Sequence, residues 1–114
     1  MKSKDKIILE KILNYISEIS GFIDGYSKED FIKDKKTISA SVFELGQIGE
    51  LTSKISNELI EEYPNIEWRR LKALRNRIVH DYDGVNLNMV WDFLTSELDE
   101  LKEQISAIIS KETE

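Results

Sequence analysis

Residues Arg75 to Tyr82, RNRIVHDY, hold the single histidine of the chain, five residues after Arg75 and two before Tyr82. Histidine is the side chain whose proton is labile near neutral pH. Arginine presents a planar fork of donors that fits a phosphate. Cleavage of an RNA phosphodiester by its own 2′-hydroxyl needs three things: a base on that hydroxyl, an acid on the leaving oxygen, and positive charge at the pentacoordinate phosphorus. Imidazole and guanidinium supply all three without a metal. One chain offers one imidazole, so two proton transfers would draw on two copies about a twofold axis. The same residues have plainer uses: a solvated helix face, or ion pairs with carboxylates across an interface.

Charge sharpens the question. The chain carries 16 Lys and Arg against 22 Asp and Glu, a net −6. Between Trp68 and His80 lie Arg69, Arg70, Lys72, Arg75 and Arg77 with no acid, so this segment carries +5 and the rest −11. An acidic total argues against a general nucleic-acid binder. A local cationic patch on an acidic body suits a small anionic target held at one place, or pairs with acids elsewhere in the fold.

The 114 residues with no cysteine imply one domain, residues 1–114, and exclude disulfides and thiolate metal sites. One histidine excludes a His-rich zinc site, whereas the many carboxylates leave a weak magnesium site open. No apolar run approaches the roughly 20 residues of a membrane span, and the start MKSKDKIILEK lacks a signal pattern. A soluble, cytoplasmic protein is expected.

The elements that must position these residues read as helices. There is one proline, and apolar residues recur at three- and four-residue steps. A first helix is expected over 4–23, with Ile8, Ile12, Ile16, Ile19 and Ile23 as its stripe. Gly21 and Gly25 end it, Ser27 can cap a successor, and KEDFIKD is a short helical piece. A long helix is expected over 36–62, faced by Ile38, Val42, Leu45, Ile48, Ile55 and Leu59. Gly46, Gly49 and Ser53 share one flank of it, where another backbone should come close. Tyr63-Pro64 stops that helix, and Pro64 suits the first turn of the next, which runs to His80. The last is expected over 86–109, with Leu87, Val90, Leu94, Leu98, Leu101, Ile105 and Ile108 in a near-heptad seam. The fold class is all-α: an antiparallel four-helix bundle with an additional short helix.

On the helix carrying the motif, Leu71, Leu74 and Ile78 fall within about 60° and face the core. Arg69, Ala73, Asn76 and His80 step by four, three and four along the opposite side. Lys72 and Arg75 lie between, with stems long enough to bend toward that row. Trp68 and Val79 flank it, and exposed apolar bulk beside a polar line suits an interface.

The segment YPNIEWRRLKALRNRIVHDYDGVNLNMVW resembles the core of the HEPN superfamily, specifically its HepT-like branch, the toxin of a prokaryotic toxin–antitoxin pair. Its pattern of arginine, asparagine, three residues, histidine, any residue and tyrosine falls on Arg75, Asn76, His80 and Tyr82. Pro64, Ile66, Trp68, Val85 and Val90-Trp91 also fit, and Gln47-Ile48-Gly49-Glu50 resembles the branch's other familiar stretch. The likeness covers about residues 5–110.

The resemblance implies a HEPN-like helical homodimer with the two motif helices facing one another across a cleft. It implies metal-independent endoribonuclease cleavage with no cofactor, in which Arg75 and His80 are the catalytic pair. Asn76 would orient or bind RNA, with Arg69, Lys72 and Arg77 of the cationic stretch as further RNA-binding groups. The partner would be a minimal nucleotidyltransferase antitoxin, which silences the toxin by attaching AMP to Tyr82. A bulky anion there would occupy and repel the phosphate site. Two other readings stay open: a non-catalytic helical module that pairs with a nucleotidyltransferase, and a purely structural dimeric bundle. In the plainest reading Tyr82 packs the turn onto the last helix.

Overall fold

The computed structural model describes residues 1–80 and 86–112, and within 74–80 it describes the side chain of Asn76 alone. Helix α1 is Ser3–Phe22, and the stripe Ile8, Ile12, Ile16 and Ile19 is buried. It stops where expected, and Gly25 takes the left-handed backbone (φ 78°) that turns the chain. Helix α2, Lys28–Lys33, opens with a capping box. The Asp30 N–H donates to Ser27 Oγ (3.1 Å), and the Ser27 N–H donates to the Asp30 carboxylate (3.0 Å). Its Phe31 is fully buried against the ring of Trp91, with centroids 5.3 Å apart.

Helix α3 is Lys35–Thr52, shorter than the span expected for it. The run to Glu62 divides at a turn, and the remainder forms α4, Asn57–Glu62. Side-chain hydroxyls take up the last carbonyls: Thr52 Oγ1 donates to Ile48 O (2.8 Å) and Ser53 Oγ to Glu50 O (2.6 Å). Ser56 then caps α4, accepting from the Leu59 N–H (3.3 Å). It is anchored from outside the segment. The carboxylate of Asp5 in α1, 1% exposed, accepts from the Ser56 N–H (3.0 Å) and from Ser56 Oγ (2.5 Å).

Pro64 lies before α5, which begins at Trp68 rather than at the proline. Helix α5 is Trp68–His80. Its first residue corrects the expectation of exposed bulk beside the polar row: Trp68 is 4% exposed, and its indole N–H donates to Tyr63 O (3.1 Å). The indole belongs to the core because its one polar atom finds a carbonyl at the preceding turn.

The expected last helix is one continuous run with a wide turn inside it. Helix α6, Leu87–Asp92, is capped by Asn86. Phe93–Glu97 is a π turn, closed by Leu98 N–H donating to Phe93 O. Helix α7, Leu98–Glu112, follows and carries Leu98, Leu101, Ile105 and Ile108 into the core.

The described elements make an all-α bundle. Helix α3 lies between α1 and α5, packing most extensively on α5, and α7 packs on α1. Each buried Leu or Ile contributes about 1.5–3 kcal/mol of apolar burial. Among the described residues no helix is long and apolar enough to cross a membrane.

Candidate nucleic-acid interface

Helix α5 forms because its apolar residues keep helical spacing while the rest are charged or polar. Trp68 and Leu71 are buried, and Arg69, Lys72, Ala73 and Asn76 are exposed. The described part of the polar row thus faces outward, as its spacing requires. The side chains of Arg75, Arg77 and His80, and Tyr82 as a whole, lie outside the described residues.

The cationic stretch is not uniform. Arg70 is held by two acids: its Nη1 lies 3.2 Å from Glu67 Oε2, and it also meets Glu97 Oε1 of the π turn. This pairing spans a cleft of about 340 Å³ whose lining includes Ile66, Arg70, Leu71, Phe93, Glu97 and Leu101. Glu67, Glu97 and Glu100 at its edge outweigh the one arginine, so the cleft repels phosphate. The described cations therefore divide. Arg70 closes the bundle, whereas Arg69 and Lys72 have no acidic partner within ion-pair distance among the described residues. This division is not legible in the sequence, because Glu97 is 27 positions away and meets Arg70 only once the two helices pack.

Helix α3 runs beside this surface. The stretch Gln47-Ile48-Gly49-Glu50 lies on it, with Ile48 and Gly49 buried. The burial of Gly49 on a helix packed closely against α5 fits the close approach expected there. At Gly46 the expectation fails among the described residues: none of their atoms lies within 4 Å of where a Cβ would stand.

The opposite flank of α3 meets α1. There Glu44 Oε2 is buried without a hydrogen bond. Burial first, then the neighbouring carboxyl of Glu18, pushes the Glu44 carboxyl up to about 7. These two acids lie away from the cationic face. Among the described residues no three His, Asp or Glu side chains cluster as metal ligands would.

Comparisons with known proteins bear on the whole chain. The family model described as Ribonuclease HepT-like matches residues 12–108. A Thermococcus cleftensis protein named "Probable ribonuclease HepT" is 34% identical over 102 residues, covering 90% of this chain and 93% of the relative. A Caldanaerobacter subterraneus protein with a provisional RNase name is 33% identical over 104 residues, covering 91% of this chain and 93% of that protein. A Methanocaldococcus jannaschii protein, also provisionally named an RNase, is 35% identical over 104 residues, covering 91% and 86%. No solved structure matches the chain. The matched span takes in α3, all of α5 and most of α7, and the chain belongs to the HepT-like ribonuclease family of the HEPN superfamily.

Proposed function

We propose that the chain is a metal-independent endoribonuclease toxin that cleaves RNA with Arg75 and His80 in the cleft of a homodimer. The observation that carries this reading is the outward row on α5: Arg69, Ala73 and Asn76 are exposed, Lys72 stands beside them, and the helix continues to His80. In the reaction one imidazole takes the 2′-hydroxyl proton, and a second protonates the leaving 5′-oxygen. Arg75 stabilises the phosphorane that forms between them. Asn76, Arg69, Lys72 and Arg77 hold the flanking phosphates and bases. The bond that breaks is P–O5′, and the 2′-oxygen takes its place on phosphorus as a cyclic phosphate.

A minimal nucleotidyltransferase antitoxin is the partner under this reading, and AMP on Tyr82 is the means of silencing. That modification would add a phosphate two residues from His80, where it competes with the substrate for the same cations.

The test is RNA cleavage in the presence of EDTA by the wild-type chain and by His80→Ala. Cleavage by the wild type and its loss in the variant, with helical circular dichroism unchanged, support the reading. A His80→Ala protein that still cuts RNA overturns it, as does a wild type that leaves RNA intact. Arg75→Ala is expected to slow cleavage by about 10²–10³-fold, the range for removing one group that stabilises developing charge.

A further inference from the structure

The cleft of about 340 Å³ between α5 and the last helices has a floor and a rim of opposite kinds. Ile66, Leu71, Phe93 and Leu101 close it below, and all four belong to the core. Carboxylates stand above them on both walls: Glu67 just before α5, and Glu97 and Glu100 opposite. Glu97, Glu100 and Gln104 succeed one another at steps of three and four, so they share one helix face.

The outer two of these positions are taken. Glu97 meets Arg70, and Gln104 Nε2 donates to Asn65 O (3.4 Å). Both clamp the α7 side to the chain around the start of α5. Glu100 stands between the clamps, exposed, and has no hydrogen bond or ion pair among the described residues. Its carboxylate thus overlooks an apolar floor with no cation of its own chain to meet it. The π turn contributes to the same feature, since it supplies Phe93 to the floor and Glu97 to the rim. Such turns within helices recur at functional sites.

We infer that this cleft docks a basic segment of a partner protein, with an arginine or lysine stem laid on the apolar floor and its charge set against Glu100. Charge fixes the sign of the occupant, because three glutamates face one arginine. The floor fixes its shape, because a cation carried on a long apolar stem uses floor and rim together. The rim favours a chain over a small cation. Among the described residues no three acids converge as metal ligands would, and Asn65, Glu67 and Glu100 are exposed, so a segment can run on past the cleft. The cleft is separate from the outward row: Arg70, which lines it, is turned about 100° around α5 from Arg69 and about 160° from Lys72. A partner held here leaves those two cations uncovered, so the inference does not depend on what the row binds.

Fluorescence anisotropy of the full chain with a dye-labelled peptide of alternating arginine and leucine tests the cleft, using wild type, Glu100→Gln and Glu10→Gln. Glu10 is an exposed acid of α1 outside the cleft. Wild type and Glu10→Gln are expected to bind with similar dissociation constants. Glu100→Gln is expected to raise the constant about fivefold, the scale of one charge pair, with helical circular dichroism unchanged. A second peptide with diaminopropionic acid for arginine keeps the charge without the stem and is expected to bind more weakly to the wild type. A wild type that binds neither peptide overturns the inference. So does binding that Glu100→Gln and Glu10→Gln weaken alike, or that is the same for both peptides. Spermidine that binds as tightly as the arginine peptide, with the same dependence on Glu100, overturns the protein partner and assigns the cleft to a free polyamine. No arm of the experiment reads RNA cleavage, so its outcome stands apart from the nuclease reading.

Discussion

Lys72 and Arg69 are the described cations of α5 without an acidic partner among the described residues, and each has the reach to meet one phosphate. If both touch single-stranded RNA, Lys72→Ala should weaken binding about equally for all sequences. The slope of log affinity against log salt should fall by about 0.7, the value for one phosphate contact. A salt titration of binding by a His80→Ala background reads this directly, since no cleavage intervenes. Arg70 gives the contrast. Its pairing with Glu67 and Glu97 means that Arg70→Ala should leave the salt slope unchanged and lower thermal stability instead. Asp5 makes a similar point within the core. Its carboxylate takes two hydrogen bonds from Ser56, and Asp5→Ala should cost about 2–4 kcal/mol in chemical denaturation. The outward direction of Arg69 and Asn76 was legible from spacing alone. The burial of Trp68 was not, because its place depends on Tyr63 O, which helix periodicity does not encode.

Among the elements, α3 has opposite proton-linked groups along its length. At its start Asp34 caps the helix and accepts from the Tyr26 hydroxyl (2.6 Å), the Thr37 N–H (3.1 Å) and Thr37 Oγ1 (2.8 Å). The Tyr26 hydrogen bond leads in holding its carboxyl down to about 2. Its contribution is present above the ordinary 3.8 and is lost as the pH falls toward 2. In mid-helix Glu44 runs the other way. The folded state holds its proton up to about 7 against an ordinary 4.5, so its contribution is full below 4.5 and fades as the pH rises through 7. Glu44→Gln should therefore flatten the decline in Tm between pH 5 and 8 and give the more stable protein at pH 8, by about 1–3 °C. The gain is small because only part of this side chain is withdrawn from water. A thermal melt series across that range checks it, and a wild type whose Tm does not fall over the interval speaks against the assignment. The first helix, the short helix after Ser27 and the last seam were plain in the sequence, because stripe and cap coincide there. The division of the middle helix was not. Thr52, Ser53 and Ser56 are all compatible with a continuing helix, and the group that selects the turn is Asp5, 51 residues earlier.

At the scale of the molecule, the acidic body and the cationic α5 make a strongly polarised surface. On the proposed function, RNA would be drawn toward the unpaired cations of the +5 segment and turned away by the remaining −11. On that reading the charge division would direct a substrate to one face without general affinity. The all-α class and the assignment to the HepT-like family were legible in the sequence, since helical periodicity and the Arg75-to-Tyr82 pattern agree. What the sequence left open is which cations are committed to the fold, because such pairs form only when distant helices meet.

The π turn at Phe93–Glu97 has a consequence for the permitted length of the chain. It accommodates one more residue than an ordinary turn, so the stripe passes through Val90, Leu94 and Leu98 in two successive steps of four. Deleting Thr95 or Ser96 would convert the turn to regular helix and swing everything before it by about 100°. Trp91 would leave Phe31, and Val90 would turn out of the core. The register between Val90 and Leu98 is thus as exacting as the identity of the residues that it carries into the core.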